Sequence, residues 1–220
     1  LLHGARDNWF RPADVCVAPD GSLFVSDWYD PGVGGHRQGD IDRGRLFRVA
    51  PKGAKYVVPK FDFATAKGAT KALTSPSLSV RYMAWTALSK MGEKAEKELA
   101  ALAGSENPRH KARALWLLAR IGGRTEHYIN LAASDKNSDI RVTSIRIARS
   151  LGVDTIPLIG KLASDESPQV RRECALALRK HASPKAPGLW AALARQHDGK
   201  DRWYLEALGI GAEGQWNAYL

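Results

Sequence analysis

The sequence predicts a mainly α-helical protein, an α-solenoid of about four to five two-helix repeats preceded by a small antiparallel β-sheet. Two observations support this fold class. Over residues 1–60, short alternating apolar runs are separated by turn signals, as in antiparallel strands. From residue 61 onward the apolar residues recur at helical spacing, and a similar segment returns every 30 residues. We therefore expect two domains, 1–60 and 61–220.

Three strands of the first domain follow from alternation and turns. The run ADVCVAP puts Val15 and Val17 on one face and Cys16 on the other, and SLFVSDW follows the tight turn at Pro19–Gly21. GRLFRV forms a third strand, and AKYVVP (54–59) is a candidate fourth. So small a sheet leaves one face without a partner, as a single β-propeller blade does. We expect the last blade of a truncated propeller, and hence a chain that begins inside a longer protein.

The repeat is defined by four aligned segments that begin at residues 75, 105, 135 and 165. Each predicts a long helix that ends near a glycine, accompanied by a shorter helix such as KELAALA. Neither helix can bury its apolar stripe alone, so the units are expected to stack. A degenerate fifth copy runs through DRWYLEALGIGA, with Ala207-Leu208 matching Ala87-Leu88. The basic residues of the four segments are 30 residues apart, at Arg81, Lys111, Arg141 and Arg171.

The composition limits the possible functions. Net charge is +10, and residues 61–220 hold 24 basic and 16 acidic residues, so the excess lies in the helical part. Such a surface attracts nucleic acid, anionic lipid or an acidic partner, or it simply keeps the protein soluble. No apolar run approaches the ~18 residues that span a bilayer. Cys16 and Cys174 lie outside any CxxC or CxxCH pattern, which gives zinc and covalent haem no support, and both are expected to be buried.

The run DESPQVRRECALAL resembles HEAT-like repeats of about 30 residues. The resemblance implies that aspartates and arginines form a ladder between neighbouring repeats, with Asp165 and the repeat arginines Arg81, Arg141 and Arg171 as members. A hydrogen-bonded pair is also the simplest role for an arginine one turn into a helix beside an aspartate of the next repeat, and phosphate contact is the alternative.

A second resemblance covers nearly the whole chain. FRPADVCVAPDGSLFVSDWYDPGVGGH, then GRLFRV, the repeats and DGKDRWYLEALGIGA resemble the membrane-bound dehydrogenases of planctomycete-type bacteria, with a sorbosone or glucose dehydrogenase-like propeller. The resemblance implies HEAT-like repeats between a propeller and a cytochrome c module, both partners within one longer protein. It implies a periplasmic or cell-envelope location and a quinone-type cofactor, Ca²⁺ or haem c in that longer protein. Haem binding is not carried over, because no CxxCH occurs here.

The glycine-rich run between the second and third strands is the candidate site. Its aspartates offer the oxygen ligands that Ca²⁺ prefers, and its histidine can act as a general base. A structural role is the alternative, with Asp27 capping backbone N–H groups and the aromatic residues packing between blades. The candidate catalytic residues are Asp27 and His36; the candidate ligand contacts are Trp28, Tyr29 and Asp30; and the possible metal ligands include Asp40 and Asp42.

The segment DRWYLEALG combines aromatic and basic residues. It predicts either a cap over the last apolar face of the solenoid or a surface that stacks on a base or sugar. The tryptophans at helical positions are expected in the core, namely Trp85, Trp116, Trp190 and Trp203.

Two functions compete. The first is part of a propeller-type sugar or alcohol dehydrogenase in which the repeats are a scaffold, active only in the longer protein because one blade cannot form a channel. The second is a non-enzymatic HEAT-repeat protein whose basic surface binds a protein partner or nucleic acid. The predicted blade argues against nucleic acid, and salt-dependent DNA affinity would favour it.

Overall fold

A computed structural model describes residues 2–30 and 42–220. Contacts divide the chain into two compact units, Leu1–Ala87 and Leu88–Leu220. The predicted combination of a small antiparallel sheet and a mainly helical remainder is confirmed.

The sheet contains three antiparallel strands in the order β1-β2-β3, namely β1 (Pro12–Val17), β2 (Leu23–Asp27) and β3 (Arg45–Val49). The turn between β1 and β2 needs a left-handed residue, which Gly21 supplies with a φ of +85°. Val15, Val25 and Phe47 are directly opposite one another across the strands. Side chains alternate along a strand, so this row lies on one face of the sheet and the next row on the other.

Two expectations about the sheet are wrong. Cys16 is exposed, because every residue of the edge strand β1 is exposed on both faces. Residues 54–60 form no strand. Instead of extending the ladder, Tyr56 packs its ring 5.9 Å from that of Phe24 and 5.2 Å from the guanidinium of Arg48. The side-chain contacts of Tyr56 thus hold this segment against a face of the sheet.

The helices follow in pairs, a short helix before a long one. In chain order they are α1 (Ala66–Leu73), α2 (Leu78–Met91), a 3-10 turn (Gly92–Ala95), α3 (Glu96–Ala103), α4 (Pro108–Leu118), α5 (Thr125–Ala133), α6 (Ser138–Ser150), α7 (Ile156–Leu162), α8 (Pro168–Ala177), α9 (Ala186–Ala194), α10 (Arg202–Gly211) and α11 (Trp216–Tyr219). In the second unit the long helices α4, α6, α8 and α10 each pack against the next. The short helices α5, α7 and α9 form a second layer against them.

The start of each long helix repeats one local device. The side chains of Ser75, Ser105, Asp135 and Asp165 accept a hydrogen bond from the backbone N–H two residues later. This turn directs the chain into the following helix, and at α4 and α6 an asparagine then caps the first turn. The helix starts were therefore predictable from the polar residues that precede them.

The fifth helix pair differs from the sequence alignment by four residues. The helices α2, α4, α6 and α8 begin at residues 78, 108, 138 and 168, whereas α10 begins at residue 202. The matching of Ala207-Leu208 with Ala87-Leu88 is therefore wrong. The additional residues form a loop in which Asp198 Oδ1 accepts the N–H groups of Lys200 and Asp201. The loop absorbs the insertion, and α10 keeps its packing against α8.

The aromatic residues near the C-terminus are divided between core and surface. Trp190 is buried and donates from Nε1 to the carbonyl of Leu208, as expected of a core residue. Trp203 is 70% exposed, so its expected core position is wrong. The inward position on α10 belongs to Tyr204, whose hydroxyl donates to the carbonyl of Leu193. The rings of Trp216 and Tyr219, from α11, pack against Trp190 instead.

Two glycines of α10 test the close approach of α10 to α8. A Cβ added to Gly211 would collide with the backbone carbonyl of Ala175, whereas one added to Gly209 meets nothing within 4 Å. We expect Gly211→Ala to lower the free energy of unfolding by about 1–3 kcal/mol through overpacking. Gly209→Ala is expected to raise it by up to ~1 kcal/mol, since alanine favours a helix. Urea unfolding followed by circular dichroism measures both, and equal effects would exclude the close contact as a constraint.

Candidate functional site

Arginines at one position of the repeat hold the loop before their own helix. Nη1 of Arg81, Arg141 and Arg171 donates to the carbonyl oxygens six and five residues earlier, at distances between 2.6 and 3.1 Å. These bonds occupy two consecutive carbonyls that the loop geometry leaves without backbone partners. The sequence pointed to contacts between repeats and gave no sign of this bond within each repeat.

Two of the basic residues also reach the next repeat. Arg141 donates from Nε to Asp165 Oδ2 at 2.7 Å and from Nη2 to Oδ1 at 2.8 Å, a bidentate pair with both side chains at most 10% exposed. Lys111 Nζ lies 2.8 Å from Asp135 Oδ2. Arg171 has no such aspartate: its guanidinium lies 5.6 Å from the ring centroid of Tyr204. Its buried Nε has no hydrogen-bond partner in the described part of the chain.

The ladder changes the ionisation of its carboxylates. Burial by itself would raise the pKa of Asp165, but hydrogen bonds from Arg141 and from the Ser167 N–H outweigh it and lower that pKa below its usual value. The pKa of Asp135 is lowered in the same way, against the effect of burial, by Lys111. Both aspartates therefore contribute to stability as charged groups.

A groove crosses the long helices α6, α8 and α10 and has a volume of about 730 Å³. Each helix supplies four residues at the relative positions i, i+3, i+4 and i+7, which lie on one face of a helix. The lining residues are Asp139, Val142, Thr143 and Arg146 of α6, then Gln169, Arg172, Glu173 and Leu176 of α8, then Trp203, Glu206, Ala207 and Ile210 of α10. Each α8 position is 30 residues after its α6 counterpart and 34 before its α10 counterpart.

The groove combines apolar and charged surfaces. Val142 and Ala207 are buried and Leu176 is half-buried, while Trp203 and Ile210 are 70% and 44% exposed. A tryptophan so exposed beside apolar neighbours offers a contact area that water solvates poorly. Such an arrangement is suited to holding an apolar side chain of another molecule.

The acidic groups in and beside the groove each have a basic partner. Glu173 is 5% exposed and accepts from Arg146 at 2.8 Å and from Arg149 at 3.3 Å. At the α10 side, Glu206 lies 3.5 Å from Arg202, an exposed pair that contributes little to stability. One buried carboxylate thus neutralises only one of two arginines. The sequence alignment could have revealed this surface, because its residues keep the repeat spacing through α8.

Asp27 is the most deeply enclosed of the residues predicted for the glycine-rich run, at 3% exposure. Oδ1 accepts from the N–H groups of Arg11 at 2.7 Å and Tyr29 at 3.0 Å, and Oδ2 accepts from Arg45 Nε at 2.7 Å. Burial opposes ionisation, but these donors keep the pKa of Asp27 below its usual value. A carboxylate with this many donors joins β1, β2 and β3, and its lowered pKa makes it a weak proton acceptor.

The neighbouring aromatic residues have separate environments. Trp28 is 61% exposed. Tyr29 has a left-handed φ of +52°, and its ring packs 5.6 Å from Trp9 and 4.1 Å from the guanidinium of Arg45. The unfavourable backbone of Tyr29 is thus stabilised by side-chain packing and by its N–H bond to Asp27.

His36 and Asp40 lie outside the described residues, so their roles stay predictions. Asp30 and Asp42 are described, and in residues 2–30 and 42–220 no three His, Cys, Asp or Glu side chains converge as metal ligands. The described residues thus give no donor set for Ca²⁺, and the chain has no CxxCH for haem c. We derive no chemical step through either group.

The comparison with known proteins concerns the repeats. A family model of HEAT repeats matches residues 125–209, which span α5 to most of α10. The predicted similarity to HEAT repeats is confirmed for this segment. No curated protein matches the chain. Among the described helices, none has the length and apolarity required to cross a bilayer. HEAT repeats indicate a scaffold or an interaction module, and the groove lies within the matched segment's helices.

The ladder predicts a difference between two arginine pairs. Arg141→Lys should lower the free energy of unfolding by about 2–4 kcal/mol, because lysine cannot form the bidentate pair and also hold the loop carbonyls. Arg179→Lys is the matched control, since Arg179 pairs with Glu213 at the surface; it should cost less than ~1 kcal/mol. Urea unfolding at neutral pH measures both, and similar losses would contradict the ladder's importance.

The same pair predicts a pH dependence. Because folding lowers the pKa of Asp165, its contribution is complete above the ordinary value of 3.8 and is lost as pH falls through the lowered value. The stability of Asp165→Asn should therefore decline less on acidification than that of the original protein. Unfolding free energies measured from neutral to strongly acidic pH give the difference, and parallel curves would contradict it.

Proposed function

We propose that the helical repeats are a protein-interaction module whose binding surface is the groove across α6, α8 and α10. The observation that supports this most directly is Trp203, a large apolar side chain that is 70% exposed at a groove of about 730 Å³. Tryptophan is among the residues that contribute most to binding when a partner covers them. The groove also lies on packed helices, so binding requires little ordering of the chain.

We propose further that the chain is part of a propeller-type sugar or alcohol dehydrogenase, in which the repeats connect the propeller to an electron-transfer module. The exposure of β1 supports the blade: Val15 and Val17 are 58% and 40% exposed on one face of the sheet. A neighbouring blade would cover such residues. The domain boundary at residue 60, the cofactors and the periplasmic location rest on the resemblance of the sequence alone.

A non-enzymatic binding protein is the second candidate. It is favoured by the excess of basic residues in 61–220, which can attract an acidic protein or nucleic acid. Both candidates use the repeats as an interaction module, and they differ in whether the sheet belongs to a catalytic propeller.

A random peptide library tests the groove as a binding surface. Peptides enriched on the 220-residue chain should lose about tenfold or more in affinity on Trp203→Ala. Leu205→Ala is the matched control: Leu205 is on the same helix, 59% exposed, and does not line the groove. Enriched peptides that bind the Trp203→Ala variant as tightly as the original protein would disprove this binding surface.

Asp27→Asn tests the catalytic proposal in the longer protein. The resemblance predicts sugar- or alcohol-dependent reduction of a dye acceptor, and a catalytic Asp27 predicts lost turnover with an unchanged melting temperature. The contacts of Asp27 instead predict a lower melting temperature, by several degrees for a loss of about 2 kcal/mol. Asp14→Asn is the control, since Asp14 is exposed on β1. Turnover by a folded Asp27→Asn variant would disprove its catalytic role.

A further inference from the structure

The stripe of residues that forms the groove continues onto α4 with a different chemistry. Thirty residues before the α6 lining positions lie Arg109, Ala112, Arg113 and Trp116 of α4. Arg109 is exposed, and Arg113 and Trp116 are half-buried, as expected of a helix face that borders solvent. Arg120 extends the stripe, with its guanidinium 5.3 Å from the centroid of the Trp116 ring.

The charge of this continuous surface is divided between its two ends. Around the groove, four arginines accompany four acidic residues, namely Arg146, Arg149, Arg172 and Arg202 with Asp139, Glu173, Asp201 and Glu206. The α4 end carries Arg109, Arg113 and Arg120, and no acidic residue occurs between Asn107 and Thr125. One end is therefore apolar and electrically balanced, and the other has an excess of positive charge.

We infer that the surface binds an extended acidic peptide segment, with a bulky apolar side chain in the groove beside Trp203 and carboxylates over the arginines of α4. This inference rests on the proposed function and names the chemistry of the partner. Charge complementarity selects the carboxylates, because arginine pairs with them in a bidentate geometry. The apolar floor formed by Val142 and Leu176 selects a hydrophobic side chain over a sugar or a phosphate.

The spacing of the helices sets the length of the segment. Packed helices are about 8–10 Å apart, so two to three helix spacings from α10 to α4 correspond to about 20–30 Å. An extended chain advances roughly 3.3 Å per residue, and about six to nine residues therefore separate the apolar anchor from the carboxylates. A shorter separation would leave one end of the surface without its partner.

Fluorescence anisotropy with defined peptides tests this inference on the chain of 220 residues. The probe has about twelve residues, with Phe-Leu near one end and three glutamates near the other, in both orders. One of the two orders should bind and lose about tenfold in affinity when serine replaces Phe-Leu, or when glutamine replaces the glutamates. Its affinity should also fall as the salt concentration rises.

Matched variants locate the two ends. Trp203→Ala should weaken the probe about tenfold and Leu205→Ala should not. Arg109→Ser, alone and combined with Arg113→Ser, should weaken the glutamate probe but leave the glutamine probe unchanged. Arg195→Ser, at an exposed position after α9, is the matched charge control and should have no effect. Circular dichroism checks that each variant keeps its helices.

The possible failures are distinguishable. Trp203-dependent binding of peptides without acidic residues, or equal binding of the glutamate and glutamine probes, would overturn the inferred chemistry and leave the groove as the binding surface. Tighter Trp203-dependent binding of single-stranded DNA than of the peptide would also overturn it. If no peptide from the library or the defined set depends on Trp203, the proposed function fails as well.

Discussion

The bidentate pair between Arg141 and Asp165 shows the constraint on which the repeats depend, namely a fixed offset between successive long helices. The same guanidinium holds two carbonyls of its own loop and the carboxylate that opens the next helix. Asp165 in turn accepts the N–H of Ser167 at the start of α8. One buried side chain therefore positions a loop, a neighbouring loop and a helix start, because each contact requires the others to be correctly aligned.

The groove is a consequence of this alignment. Equal offsets bring the same four positions of successive helices onto one surface, whatever residues occupy them. Where α10 begins four residues late, the loop containing Asp198 takes up the difference and α10 still presents its equivalent face. The fold thus provides a continuous surface, and individual side chains such as Trp203 and Arg109 give its two ends different binding chemistry.

In the sheet, Asp27 has the role that Asp165 has in the repeats. It is buried, its pKa is lowered, and its oxygens accept from Arg45 and two backbone N–H groups. A carboxylate so engaged is well suited to connecting strands and poorly suited to accepting a proton from a substrate. The glycine-rich run therefore begins from a rigid anchor, and any chemistry near it would fall to other residues.

The sequence by itself determined the class of each segment, because strand and helix periods, turn residues and the 30-residue spacing are local properties. It also indicated that Arg141 and Asp165 would be neighbours. Only the tertiary structure decided that Cys16 and Trp203 face solvent, that Tyr204 and Trp190 are buried, and that Arg141 also holds its own loop. Burial and these pairings depend on which element covers which face, and on a loop that shifted the last helix by four residues. Such contacts join residues far apart in the chain, which no local pattern specifies.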